Sequence, residues 1–370
     1  MSGPQAGRRQ RSPALLMCMF ATACGGADPT RESAGPGAGD VRWGAVASTA
    51  QIVFMAPGGS QPVPGSGTDA ASWELVVMNL DGTGRMQVTR NQEQEFLPHF
   101  SPDGTRLLYT RFTSGGYGVE GSASRVTLYD FATGSTRDLT NTGKDSYPVW
   151  SPDGTRIAFL SARGISAPGN GLALWVMNAD GSNAHEIGRP SGKKFDQGWG
   201  DIAWSSQDWI LFVVAENDAN NTCFRTRLDK VRPDGTQRTQ VTDGGPNCTP
   251  AGMEQNGDAD PGYSADGATI YTSRGFPVAP PGIPGETVRK LYAVSSDAWV
   301  PGKPERDLGL ARAPDCIEGV PKGSPGGTRI LLFRACTGER FGVTVTDSAG
   351  SYRTWVADGF GPDWNPVWKP

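Results

Sequence analysis

From about residue 50 to the C-terminus the apolar positions fall in short runs rich in Val, Ile, Leu, Phe, Tyr and Trp. Tight polar segments of Gly, Pro, Asp and Ser separate them. No segment sustains a 3.6-residue apolar period, so the pattern predicts strands and turns rather than helices. The runs recur with their turns. Residues 96–112 (FLPHFSPDGTRLLYTRF) and 147–163 (YPVWSPDGTRIAFLSAR) are near copies, and 201–214, 260–275 and 319–335 are looser ones. Their serines, Ser101, Ser151, Ser205, Ser264 and Ser324, lie 50, 54, 59 and 60 residues apart. A second motif alternates with the first, at residues 75–89 (LVVMNLDGTGRMQVT), 126–140, 174–187 (LWVMNADGSNAHEI), 228–242 and 343–356, with 291–297 in the remaining place. Pro-Asp-Gly and Asp-Gly turns between β-branched and aromatic runs are hairpin signals, because Gly supplies the positive φ of a tight turn. Each repeat therefore predicts four antiparallel strands, and repeats of this length predict the blades of a propeller.

The ends predict closure. The first unit starts at what should be its second strand, Gln51 to Met55, and the chain finishes with 363–370 (DWNPVWKP), which copies the start of a unit such as 145–150 (DSYPVW). A C-terminal strand completing the first blade would remove the open sheet edges. The expected fold class is thus all-β, a six-bladed β-propeller closed by its C-terminal strand. These motifs resemble the WD40-like repeats of TolB-type six-bladed β-propellers over about residues 45–370. The family's namesake carries a further N-terminal α/β domain, for which the residues before Gln51 leave no room. The resemblance implies a binding or scaffold protein of the periplasm or cell surface.

Residues 1–23 read as an address. Arg8, Arg9 and Arg11 precede a short apolar stretch and then Ala21-Thr-Ala-Cys24, the layout of an export signal whose apolar part is too short to span a bilayer. The small residues before Cys24 resemble a lipoprotein signal, which implies lipid attachment at Cys24, although Ala21 stands where such signals usually carry Leu. Ordinary cleavage after Ala23 is the alternative, and both export the chain. Residues 24–44 are rich in Gly, Ala, Pro and Ser and read as a flexible tether, leaving 45–370 as the propeller. A cell-envelope location follows, periplasmic or surface, with the outer membrane preferred because Gly25 is not Asp.

Composition narrows the chemistry. A net charge of −4, with no basic tract beyond the first dozen residues, argues against nucleic acid as a partner. Two histidines leave little for His-based catalysis or a His-rich metal site, and no pair of cysteines has CxxC spacing. No Gly-x-Ser-x-Gly elbow or phosphate-binding loop is present. Ser191 and Lys194 match S-x-x-K on a polar loop and read as a solvated turn. His99 reads as packed or channel-lining, and His185 as part of a polar strand. Cys223 and Cys248 flank the 233–236 turn almost symmetrically, and Cys316 and Cys336 flank 324–327. Antiparallel pairing should bring each pair together, so disulfides Cys223–Cys248 and Cys316–Cys336 are expected in an oxidising compartment.

Three residues before the repeat Pro stands a carboxylate in five copies, Glu95, Asp145, Asp258, Glu318 and Asp363, with Trp199 in the sixth. They are expected to ring the channel mouth on the variable-loop face. One reading is an acidic funnel for a basic peptide or a divalent cation such as Ca²⁺, although no other cofactor and no dedicated metal site is expected. The other is that each carboxylate serves the blade junction itself. Asn256, Asp258 and Asp260 weakly resemble a Ca²⁺ loop. The connections Ala56–Ser72, Thr113–Ser124, Ala162–Gly171, Ala215–Thr222 and Gly275–Thr287 vary, whereas the turns at the other end are stereotyped, so recognition is expected on the variable-loop face. The functional expectation is a monomeric, lipid-anchored module that binds an envelope protein or peptide, touching membrane only through its anchor. A propeller hydrolase or lyase using the channel carboxylates and a passive structural subunit of an envelope complex are the alternatives.

Overall fold

A computed structural model describes residues 50–57, 73–117, 121–165, 172–188, 201–217, 223–244, 249–250, 257–277, 287–309, 316–336 and 339–368. The signal, the tether, Cys24, Ser191, Lys194, Trp199, Cys248, Asn256 and much of the variable connections lie outside them. No helix occurs among the described residues. Their strands form three four-stranded sheets and one thirteen-stranded sheet, in which parallel bridges at Thr226–Gly257 and Arg289–Ile317 join three further antiparallel units; by antiparallel pairing there are six units. The first unit is Phe360–Trp364, Ile52–Pro57, Trp73–Met78 and Met86–Gln87, innermost strand first. The second is Gln94–Phe100, Arg106–Ser114, Ala123–Asp130 and Ser135–Asp138, and the third Asp145–Trp150, Arg156–Ser161, Ala173–Asn178 and His185–Gly188. The fourth is Ala203–Trp204, Ile210–Asn217, Cys223–Val231 and Thr239–Gln240, with Thr249–Pro250 as an added ribbon. The fifth is Gly257–Tyr263, Thr269–Pro277, Thr287–Ser295 and Glu305–Asp307, and the sixth Cys316–Gly323, Arg329–Cys336, Gly342–Asp347 and Thr354–Ala357. The six innermost strands contact one another in this order, and the last contacts the first.

The Ser-Pro-Asp-Gly turns explain why one sequence motif makes one structure. Ser101 N–H donates to the Arg106 carbonyl, Arg106 N–H returns to Ser101 Oγ at 2.9 Å, and Ser101 Oγ and Thr105 N–H both donate to Asp103 Oδ1. The same lock recurs at Ser151 and Ser264. Asn365 replaces the serine in the closing strand, where its N–H reaches the Gln51 carbonyl and its Nδ2 the Ala50 carbonyl. Closure is thus a turn motif shared between the two ends of the chain.

Apolar faces of neighbouring units pack against each other, so the core is six clusters, one per junction. Ile52, Phe54 and Val76 of the first unit meet Leu331, Val343 and Val345 of the sixth. The innermost strands crowd near the axis, and small residues permit it. A Cβ at Gly262 would lie 2.0 Å from the Pro321 carbonyl oxygen.

Cys316 and Cys336 are directly opposed in register and joined by a disulfide. Cys223 lies opposite Pro250, two residues along the chain from Cys248. Gly262→Ala should destabilise by about 1–3 kcal/mol or more through overpacking. Gly188→Ala, where an added Cβ meets nothing within 4 Å, should stay within about 0.5 kcal/mol. Urea unfolding followed by tryptophan fluorescence measures both, and equal losses would refute the close-packing argument.

Candidate functional site

Counting back from the turn serine, or from Asn365, puts each innermost strand on a common register. Six residues back are Glu95, Asp145, Trp199, Asp258, Glu318 and Gly359. Four back are Leu97, Tyr147, Asp201, Asp260, Val320 and Gly361, and two back are His99, Val149, Ala203, Gly262, Lys322 and Asp363. Asp363 is therefore not the fifth member of the acidic set, as its spacing to proline suggests; it sits four residues further along its strand. The place that a carboxylate would take belongs to Gly359, where a Cβ would meet Phe54 Cδ2 at 2.4 Å and the Met55 carbonyl at 2.6 Å. The C-terminal copy aligns Pro362, not Pro366, with the other repeat prolines.

The remaining four carboxylates are buried rather than open at a mouth. Asp145 accepts from Ser161 Oγ at 2.7 Å, from Thr142 Oγ1 at 2.5 Å and from Arg163 Nη2 at 2.8 Å. Asp258 takes a two-pronged bond from Arg274 at 2.7 and 3.0 Å, and Glu318 one from Arg353 at 2.6 and 3.0 Å. These bonds sit within their own units, as charge-assisted pairs that let carboxylates enter the interior. Asp258 is thereby paired with Arg274. Glu95 differs, having only Thr89 Oγ1 and Asn91 Nδ2 as donors. Burial first, and then the nearby Glu74 carboxylate, push its carboxyl up to about 8.

The axis holds a second cluster. In five units the residue four before the turn has positive φ (Leu97 48°, Tyr147 55°, Asp260 48°, Val320 52°, Gly361 59°) and is followed by Pro. Four of these five are not glycine, so this bulge carries backbone strain where the strands converge. The fourth unit lacks the proline. There Asp201 bonds its neighbour's Ile202 N–H and points its carboxylate at two other units. Lys322 Nζ of the sixth unit donates to Asp201 Oδ2, and His99 Nε2 of the second lies 3.4 Å from Asp201 Oδ1. The three residues form a tripod across the channel from alternating units. His99 Nδ1 is also 3.6 Å from Asp363 Oδ2. Burial opposes charge on Asp201, yet Lys322 and His99 hold it well below the usual carboxylate range. Burial and Lys322 lower the affinity of His99 for a proton, but Asp201 and Asp363 outweigh them and its pKa is raised.

Above the tripod the channel widens into a funnel of about 400 Å³ that opens among the stereotyped turns. All six innermost strands line it; His99, Lys322 and Asp363 form one arc of its floor and Val149, Ala203 and Gly262 the other. Trp150, Trp204, Tyr263 and Trp364 contribute to the wall. Toward the variable-loop end the described residues close the axis with aromatic rings. Phe96 stacks on Tyr117 at 4.3 Å and contacts Tyr147 and Phe360. Of the axial residues the sequence singles out only His99, as packed or channel-lining; Asp201, Lys322 and the turn-end funnel are not among its candidates. Their signal was the common register of the turns, which exposes the axial positions.

Comparison with solved structures gives TolB from Acinetobacter baumannii, 16% identical with a TM-score of 0.58 over 85% of this chain and 66% of that one. TolB from Agrobacterium tumefaciens follows at 16% identity and 0.52 over 75% and 86%. This fold is a TolB-like β-propeller. Hydrazine synthase from Kuenenia stuttgartiensis also shares it, at 14% identity and 0.59 over 92% of this chain and 51% of that one. The TolB-like propeller described here thus spans just under two thirds of the Acinetobacter chain. No family model and no curated protein sequence matches the chain.

With its proton retained up to about pH 8, native Glu95 binds a proton that the unfolded chain has already lost. Stability therefore falls as pH rises from the ordinary carboxylate range to about 8, by up to about 1.4 kcal/mol per pH unit. Glu95→Gln should flatten that slope in denaturant melts across this range, and an unchanged slope refutes the assignment. Asp201→Asn removes the carboxylate that Lys322 donates to and leaves His99 with Asp363 alone, and should cost about 3–5 kcal/mol. Asp201→Leu with Lys322→Met should recover most of it, and the melting temperatures of the single and double variants decide.

Proposed function

We propose that this chain is an exported, lipid-anchored binding propeller of the cell envelope that receives a segment of another envelope polypeptide in its axial funnel. One observation carries the reading: an open cavity of about 400 Å³ in which an aromatic wall surrounds a floor of His99, Lys322 and Asp363. That volume and the mix of apolar wall with few polar groups are those of a ligand site. The turns that frame it are locked by their Ser and Asp side chains, so the rim is preorganised. The basic leader with Cys24 supports export and anchoring, and the Cys316–Cys336 disulfide suits an oxidising compartment. The pairing of Asp145, Asp258 and Glu318 with arginines favours binding over a hydrolase or lyase built on those carboxylates. The funnel moves the expected face of recognition to the turn end; the variable connections lie largely outside the described residues.

A photo-reactive phenylalanine analogue placed at Ser206 or Ala265, both exposed at the funnel rim, should capture one defined polypeptide in intact cells. The same probe at Trp355, exposed on the outermost strand of the sixth unit, should not. Capture at Trp355 alone, or none at the rim, overturns the funnel as the binding face.

A further inference from the structure

The charge pattern of the funnel floor specifies what it accepts, and this inference rests on the funnel being the binding site. Lys322, Asp363 and His99 come from the sixth, first and second units, which are neighbours in the ring. Their arc is therefore continuous, and the facing arc of Val149, Ala203 and Gly262 presents no charge. Within the charged arc Lys322 is already engaged, its Nζ donating to Asp201, and the His99 ring is enclosed between the Asp201 and Asp363 carboxylates. Asp363 is the group left open. Among the described residues its side chain accepts one hydrogen bond, from Phe100 N–H at 3.1 Å; this bond and its His99 contact both go to Oδ2, and the side chain keeps 17% exposure. His99 is 5% exposed, and its Nε2 forms no hydrogen bond.

We propose that the funnel floor binds a primary ammonium or guanidinium group on an apolar stem, with Asp363 as its counter-charge and Val149, Ala203 and Gly262 against the stem. An anion has no place here, because Lys322, the standing cation of the floor, already faces Asp201. Among the described residues no group of three His, Cys, Asp or Glu is arranged to hold a metal ion. The chemistry is that of a lysine or arginine side chain of a polypeptide, or of a free alkylamine. A proton on His99 is the competitor. The groups that face this ring are Asp201 of the fourth unit, Asp363 of the first and Lys322 of the sixth. Imidazolium would neutralise Asp363 from within, so affinity for an external cation falls as pH drops through the His99 transition.

The test is calorimetric titration of the purified full chain with blocked peptides acetyl-Ala-Lys-Ala-amide, its norleucine and glutamate analogues, and n-butylammonium. The lysine peptide should bind about ten- to a hundredfold more tightly than the norleucine one, the range for a hydrogen bond to a charged group. The glutamate peptide should be weakest. Asp363→Asn, which can still accept from Phe100 N–H, should abolish the preference for lysine over norleucine and leave norleucine binding unchanged. Lowering the pH should weaken lysine binding alone. Tighter binding of the lysine peptide than of n-butylammonium assigns the source to a polypeptide, and equal binding assigns it to a free amine. Norleucine or glutamate binding as tightly as lysine overturns the cation assignment, and wild-type protein alone decides this if the variant does not fold. Failure of every probe with rim cross-linking intact overturns this inference and spares the funnel; failure of both removes the two together.

Discussion

Ring closure is the constraint on which the other features depend. A four-stranded antiparallel unit with one strand missing would leave a row of unpaired N–H and C=O groups, and the pairing of Phe360–Trp364 with Ile52–Pro57 removes it. Closure also fixes the geometry at the axis. Six innermost strands must converge, each presenting the same registered positions to the centre, so residues far apart in sequence become neighbours. The bulge at the x-Pro step and the glycines at 262 and 359 make that convergence sterically possible. The junction clusters are then a consequence, since each unit has an apolar face on either side and neither can be satisfied except by the next unit round.

Charges inside such a ring follow two different logics. Asp145, Asp258 and Glu318 lie near where their innermost strands begin, and each is matched by an arginine of its own unit. They hold the variable-loop end of the blades together and leave little chemistry over. The Asp201–His99–Lys322 tripod instead crosses the axis, joining units that share no sheet pairing with one another near the site. Its buried charge is expensive unless every member keeps its partner, which makes it a specifying device for the register of three units.

Together these account for a two-ended molecule. The described part of the variable-loop end is closed by Phe96, Tyr117, Tyr147 and Phe360, whereas the turn end is open and lined by repeated, rigid geometry. Stereotyped turns looked like mere scaffold because their sequence scarcely varies. What varies is the residue two places before each serine, and those single positions give the funnel one charged arc and one apolar arc.

The strand-and-turn repeat and its closing strand were legible in the sequence, because a Ser-Pro-Asp-Gly turn is stabilised by bonds within six residues and needs no distant partner. The Cys316–Cys336 pairing was legible for the same reason, as two strands about one tight turn share a computable register. The acidic ring was legible as residues but not as a site. A carboxylate's role depends on which cation faces it, and Arg274, Arg353 and Lys322 reach their acids across strands or across the channel. Asp363 was misplaced by a repeat proline that aligns in sequence yet not in space, since Gly359 leaves no room for a side chain against Phe54. Local hydrogen bonding, then, determined the fold from the sequence alone. The funnel, its tripod and its one open carboxylate were decided only by closure, which alone brings His99, Asp201, Lys322 and Asp363 to a common axis.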